Sequence, residues 1–104
     1  MGIMSLAITV NGSRVELSGA VDMETAPSLR AELVDLINAA GPGTALRLDL
    51  GEVTLLDSSG LSALIAAHRL ASARDVRLLL AALPRHVKRT LSITGLDEVL
   101  YIAA

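Results

Sequence analysis

The sequence predicts an α/β fold, with a mixed, mainly parallel sheet of about five strands, an antiparallel N-terminal hairpin and three helices. Three observations carry this. Period-two alternation brackets Asn11-Gly12, helical spacings recur in three later stretches, and short apolar runs separate those stretches. The order strand, helix, strand, helix, strand, helix, strand from residue 13 onward is that of parallel βαβ units.

Leu6, Ile8 and Val10 alternate with Ala7 and Thr9, and alternation resumes at Val15 and Leu17. Strands are expected at about 4–10 and 13–19, joined by a type I′ turn at Asn11-Gly12, where Gly accepts positive φ freely and Asn tolerates it. Leu29, Leu33, Leu36, Ile37 and Ala40 then form one stripe of an amphipathic helix, with Arg30, Glu32 and Asp35 between them. That helix should span about 25–40, with Asp22 or Thr25 as its cap, Pro27 in its first turn and Gly41-Pro42-Gly43 as its stop. Ala45 to Leu50 has the length of a strand, and Gly51 to Asp57 reads as a loop. Leu61, Leu64 and Ile65, with Ala63, Ala66, Ala67 and Ala71, return to helical spacing. Val76 to Ala81 is a nearly continuous apolar run of the kind expected where both faces or a central position are buried. Pro84 opens a third helix carrying Val87 and Leu91 and ending at Gly95, and Val99 to Ile102 makes a last short strand. No repeat, low-complexity segment or linker interrupts residues 1–104, so one domain is expected.

Composition narrows the function classes. At 104 residues, folding would bury about 65% of the unfolded surface, enough for one small core. Hydrophobic residues make up 52% of the chain, yet Phe and Trp are absent and Tyr101 is the only aromatic, so that core must be aliphatic. Nine Lys and Arg against eleven Asp and Glu leave a net charge of −2. Without a basic excess or stacking aromatics, nucleic-acid binding is disfavoured. The absence of cysteine excludes disulfides, thiolate metal sites and thiol nucleophiles, and two histidines offer little to a metal. Leu61 to Leu83 is cut by His68, Arg69, Arg74, Asp75 and Arg77 and cannot span a bilayer. Met1 to Val10 has no basic region ahead of an apolar one and does not read as a signal peptide. A soluble cytoplasmic domain without membrane contact is expected.

Chemistry in parallel α/β units collects beyond the carboxyl ends of strands. Two connections qualify, Gly19-Ala20-Val21-Asp22 and Leu56-Asp57-Ser58-Ser59-Gly60, and both should emerge at the same end of the sheet. Asp57, Ser58 or Ser59 can serve simply as a helix cap. Alternatively Ser58 is a phosphoacceptor, since a phosphate there would meet the positive end of a helix dipole and several free N–H donors, with Asp22 and Asp57 repelling it at close range.

The run Leu56-Asp57-Ser58-Ser59-Gly60-Leu61, preceded by Gly19-Ala20-Val21-Asp22-Met23-Glu24-Thr25-Ala26 and followed by Pro84-Arg85-His86-Val87-Lys88-Arg89 and Thr94-Gly95-Leu96, resembles the STAS domain family, and within it the bacterial anti-sigma factor antagonists. The resemblance spans nearly the whole chain. It implies that Ser58 is phosphorylated by an anti-sigma factor that is itself an ATP-dependent serine kinase, and dephosphorylated by a serine phosphatase. The unphosphorylated form would sequester the anti-sigma factor and free the sigma factor, a partner switch that regulates transcription. The implied partner-binding surface comprises Asp22, Thr25, Asp57, Ser58, Ser59, Gly60 and Leu61, with no cofactor, no metal and no catalytic residue of its own. Two departures stand out: Ala20 replaces the family's usual Glu, and Ala104 follows the last expected strand where relatives add a closing helix. An uncovered apolar strip along Val99 to Ile102 would favour self-association.

Rival readings are weaker. Ser58, Asp75 and His86 occur in the chain order of a hydrolase triad, but Leu56 occupies the first Gly position of a nucleophile elbow and the chain lacks room for that fold. Gly41-Pro42-Gly43 lacks the Lys-Ser/Thr of a phosphate-binding loop and follows a helix instead of preceding one. His86 belongs to a basic face with Arg85, Lys88 and Arg89, and His68 is expected to be a partly buried packing residue. The alternative to the antagonist is a non-phosphorylated STAS interaction module of a stress complex or of a lipid or anion transport system.

Overall fold

The computed structural model describes residues 5–103. Strands β1 (Leu6–Asn11) and β2 (Arg14–Val21) form the hairpin, followed by helix α1 (Ala26–Ala39), β3 (Thr44–Leu56), α2 (Ser58–Ala73), β4 (Val76–Ala81), α3 (Arg85–Thr94), a 3₁₀ turn at Leu96–Glu98 and β5 (Tyr101–Ile102). The strands lie in one sheet in the order β1-β2-β3-β4-β5, antiparallel at β1–β2 and parallel elsewhere. This is the α/β fold the sequence predicts. Met4, at the start of the expected first strand, lies outside the described residues.

Successive strands are sheet neighbours and right-handed crossovers keep every helix on one face. Burial follows: Val15, Leu17, Leu46, Leu48, Leu50, Val76, Leu78 and Leu80 point into the core, while Arg14, Glu16, Arg47 and Arg77 stand exposed. Leu29, Leu33 and Ile37 of α1, Leu64 and Ala67 of α2, and Val87 and Leu91 of α3 close over the inner face. The core is aliphatic throughout, and Tyr101 stays half exposed at the sheet edge, its ring against that of His68 (centroids 5.2 Å apart, 51° between planes). The outer face is polar; there Arg14 contacts Glu16 at 3.5 Å and Asp49 at 3.2 Å, exposed pairs of small energetic weight.

Four expectations need correction. The hairpin loop is Gly12-Ser13, not Asn11-Gly12: Asn11 pairs with Arg14, and only Gly12 takes positive φ (64°), the pattern of a two-residue turn with Gly first. The pairing moves by two residues, so Leu6, Ile8 and Val10 keep the face expected of them. Second, β2 runs on to Val21, which makes Gly19, Ala20 and Val21 strand and not loop, and β3 runs on to Leu56, which absorbs the expected loop from Gly51. Against β2, the step Glu16 to Ser18 faces Asp49 to Glu52 and the step Gly19 to Ala20 faces Val53 to Leu55, so β3 carries two extra residues as bulges. Third, β4 owes its apolar run to a central position, between β3 and β5, and not to two covered faces, since Arg77 is exposed and Leu79 half-buried. Fourth, the last strand shortens to Tyr101–Ile102 because the 3₁₀ turn consumes the preceding residues and leaves Val99 exposed.

Candidate functional site

At the carboxyl ends of β2 and β3 the chain enters α1 and α2 side by side. Val21 is the register partner of Leu56, and the Asp57 N–H donates to the Val21 carbonyl at 3.2 Å, tying the two connections together. The second connection is a single residue. Asp57 is extended (φ −99°, ψ −171°) and its Oδ1 accepts from the N–H groups of Ser59 (2.9 Å) and Gly60 (3.1 Å), while its carbonyl accepts from Leu61 N–H at 2.9 Å. Asp57 is therefore the cap of α2, and the three candidates from sequence reduce to one.

Two consequences follow for Ser58. It is the first residue of α2, exposed, and none of the side-chain hydrogen bonds of the site uses its hydroxyl. The donors at the helix start are also not free for a phosphate, contrary to expectation: the carboxylate one residue earlier already holds two of them. A phosphate on Ser58 would sit against Asp57 with only part of the dipole's benefit.

Gly60 sets how closely α2 approaches the sheet. A Cβ there would lie 2.6 Å from Leu56 Cδ1, 2.7 Å from Val21 Cγ1 and 3.0 Å from the Val21 carbonyl oxygen. Leu61 is buried behind it and contributes to the core, not to the surface. Ser59 is half-buried.

The first connection is a closed hydrogen-bonded turn. Asp22 Oδ1 accepts from the N–H groups of Glu24 (2.9 Å) and Thr25 (3.1 Å), the Thr25 hydroxyl donates to the Ala20 carbonyl at 2.7 Å, and the Asp22 N–H donates back to Thr25 Oγ1 at 3.0 Å. Thr25 occupies the N-cap position of α1, yet neither it nor Asp22 caps that helix through a side chain. Both shape the loop that lies beside Asp57.

Ser58 and Asp75 flank opposite ends of α2, about 24 Å apart along its axis. The hydrolase order in the sequence is therefore not assembled in space. Among the described residues no group of three or more His, Asp or Glu is placed to hold a metal ion, and no helix is long and apolar enough to cross a membrane.

The chain matches the family model described as "Mlab, STAS domain" over residues 4–102. The chain belongs to the STAS domain family. Among STAS relatives it is 33% identical to the anti-sigma-B factor antagonist of Bacillus subtilis (strain 168) over 94 residues, which is 90% of this chain and 84% of that protein. Its fold superposes on the crystal structure of an anti-sigma factor antagonist from Mycobacterium paratuberculosis with a TM-score of 0.77 at 26% identity, covering 96% of this chain and 85% of the other. The anti-sigma factor antagonist SpoIIAA in its unphosphorylated form shares the STAS fold at a TM-score of 0.72 and 20% identity, over 95% and 88% of the two chains.

One feature of this STAS domain has a weak signal in its sequence. Met23, Pro27, Ala31, Val34 and Ser62 line an open groove of about 670 Å³ that runs from Ser59 between α1 and α2. Pro27, Ala31 and Val34 recur at four and three residues, a second stripe beside the core stripe, but made of small side chains.

Proposed function

We propose that the chain is an anti-sigma factor antagonist that works by partner switching, with Ser58 as the phosphorylated residue. The unphosphorylated protein binds and sequesters an anti-sigma factor serine kinase, releasing the sigma factor. The kinase brings the ATP, and a serine phosphatase resets the switch. The function is binding in the cytoplasm, without catalysis or cofactor. The observation that carries this reading is the division of labour at the start of α2: Asp57 does the capping, which leaves the exposed Ser58 hydroxyl unengaged. A 33%-identical relative named as an anti-sigma-B factor antagonist supports it.

The switch is electrostatic. Phosphorylation adds a charge of about −1.5 to −2 beside the Asp57 carboxylate and the acidic first connection. Burying that charge in an interface without a cationic partner costs several kcal/mol, and even about 3 kcal/mol weakens binding more than a hundredfold. Within this reading Asp22 and Thr25 act by shaping the first loop, Ser58 and Ser59 face the partner, and Gly60 and Leu61 seat the helix.

The test is intact-mass and peptide mass spectrometry after incubation with ATP and each candidate serine-kinase anti-sigma factor of the same genome. The expected result is one phosphate on Ser58, absent in Ser58→Ala. Failure with every kinase, together with stable binding to a different protein, would replace this reading with a non-phosphorylated STAS interaction module.

A further inference from the structure

The groove between α1 and α2 is mostly apolar, and its position relative to Ser58 restricts what can cover it. Its α2 wall starts at Ser59, the residue after Ser58, and reaches Ala63, only about 6 Å further along the helix. Its α1 wall is Pro27, Ala31 and Val34, flanked by the charged Arg30 and Asp35, with Met23 at the mouth, three-quarters exposed. A stable protein interface buries about 800 Å² on each side, a disc of roughly 16 Å radius. A disc of that size centred on Ser58 takes in the near end of this groove.

We propose that the α1–α2 groove is the apolar anchor site for the anti-sigma factor, filled by one or two of that protein's aliphatic or aromatic side chains. This rests on the antagonist reading and adds the face of α1 to it. The chemistry suits an anchor: small side chains on both helices leave room, Met23 is unbranched and adapts to an incoming side chain, and Arg30 beside the apolar wall has no ion pair among the described residues. The groove and Ser58 then divide the work. The groove supplies affinity that is blind to phosphorylation, and Ser58 supplies the repulsion that reads it.

The experiment is titration calorimetry of the cognate anti-sigma factor, found by the phosphorylation screen, against Ser58→Ala and against the same protein with the groove filled by Ala31→Trp or, separately, Ser62→Trp. Both positions are exposed, so both variants are expected to keep the parental thermal midpoint. Thr9→Trp on the outer sheet face is the control for adding an indole. The expected result is a loss of affinity of at least tenfold for each groove variant and none for Thr9→Trp. Unchanged affinity in both groove variants overturns the anchor site while leaving the antagonist reading intact. If the parent protein binds no anti-sigma factor, the antagonist reading falls and the anchor site falls with it.

Discussion

The Ser58 hydroxyl is free because its neighbour does the capping. The Asp57 carboxylate holds the N–H groups of Ser59 and Gly60, so Asp57→Ala should lower stability by about 1 kcal/mol, measured by urea unfolding, through loss of a cap. Ser58→Ala removes no such bond and should leave the unfolding midpoint within about 0.5 kcal/mol of wild type while abolishing phosphorylation. Ser58→Asp should bind the kinase far more weakly than Ser58→Ala, and equal affinities by calorimetry would exclude a charge-based switch. Gly60→Ala pits two effects against each other. Alanine is the better helix former by about 1 kcal/mol, but its Cβ would overlap Val21 and Leu56, and overpacking of this kind costs about 1–3 kcal/mol. Net destabilisation and slowed Ser58 phosphorylation are expected, since α2 must shift away from the first connection. Asp57-Ser58-Ser59-Gly60 was legible in the sequence as the entry to a helix, but which member caps and which is free was not. That choice depends on the extended backbone of Asp57, which the end of β3 imposes.

At the level of elements, the stripe of α1 was readable because 3.6-residue periodicity is local. Leu29, Leu33 and Ile37 are all fully buried, and Leu33→Ala should cost about 2–5 kcal/mol by leaving a cavity beneath the helix. An unchanged denaturation midpoint would contradict that packing. The second half of β3 was not readable for a specific reason. Leu50, Val53 and Leu56 are its buried residues, spaced by three, because each of two bulges inserts a residue into the alternation. A period of three with Gly51 and Thr54 between looks like a loop. The bulges matter to the site, since they deliver Leu56 and Asp57 level with Val21 instead of two residues beyond it. Beyond β4, Ala82 takes a left-handed conformation (φ 56°) that disfavours a Cβ by about 1–2 kcal/mol. Ala82→Gly should therefore hold or raise the thermal midpoint in spite of glycine's entropy, and a clear drop would contradict that strain.

Across the whole molecule, stability is expected to grade along the sheet. β3 pairs with β4 over Thr44–Asp49 and with β2 over Arg47–Leu56, so its middle is bonded on both sides, whereas β5 makes two register pairs with β4 and exposes Tyr101 and Ile102. Hydrogen exchange should be slowest in the amides of Leu46 to Leu50 and Leu78 to Leu80, and fastest, within the sheet, in Tyr101 and Ile102. Uniform protection across β3 and β5 would contradict this gradient. The site lies beyond the doubly paired stretch, on the ends of β2 and β3, which there pair with each other alone. A phosphate placed there changes charge without needing the fold to move.

The alternation of β1 and β2, the stripe of α1, the helix stops at Gly41-Pro42-Gly43 and Gly95, and the βαβ order were set by the sequence alone, because each rests on neighbours a few residues apart. So was the Asp-Ser-Ser-Gly run and the family it points to. Only the tertiary structure decided the hairpin register, the continuation of β3, the open polar face behind β4, the capping role of Asp57 and the groove beside Ser59. Each of these depends on residues distant in the chain: Asn11 meets Arg14 through the pairing of whole strands, Asp57 is aimed by the Val21 carbonyl, and the groove exists only where α1 and α2 lie side by side. Local periodicity reports which face of an element is apolar. Pairing and packing decide what that face, and the one opposite it, will meet.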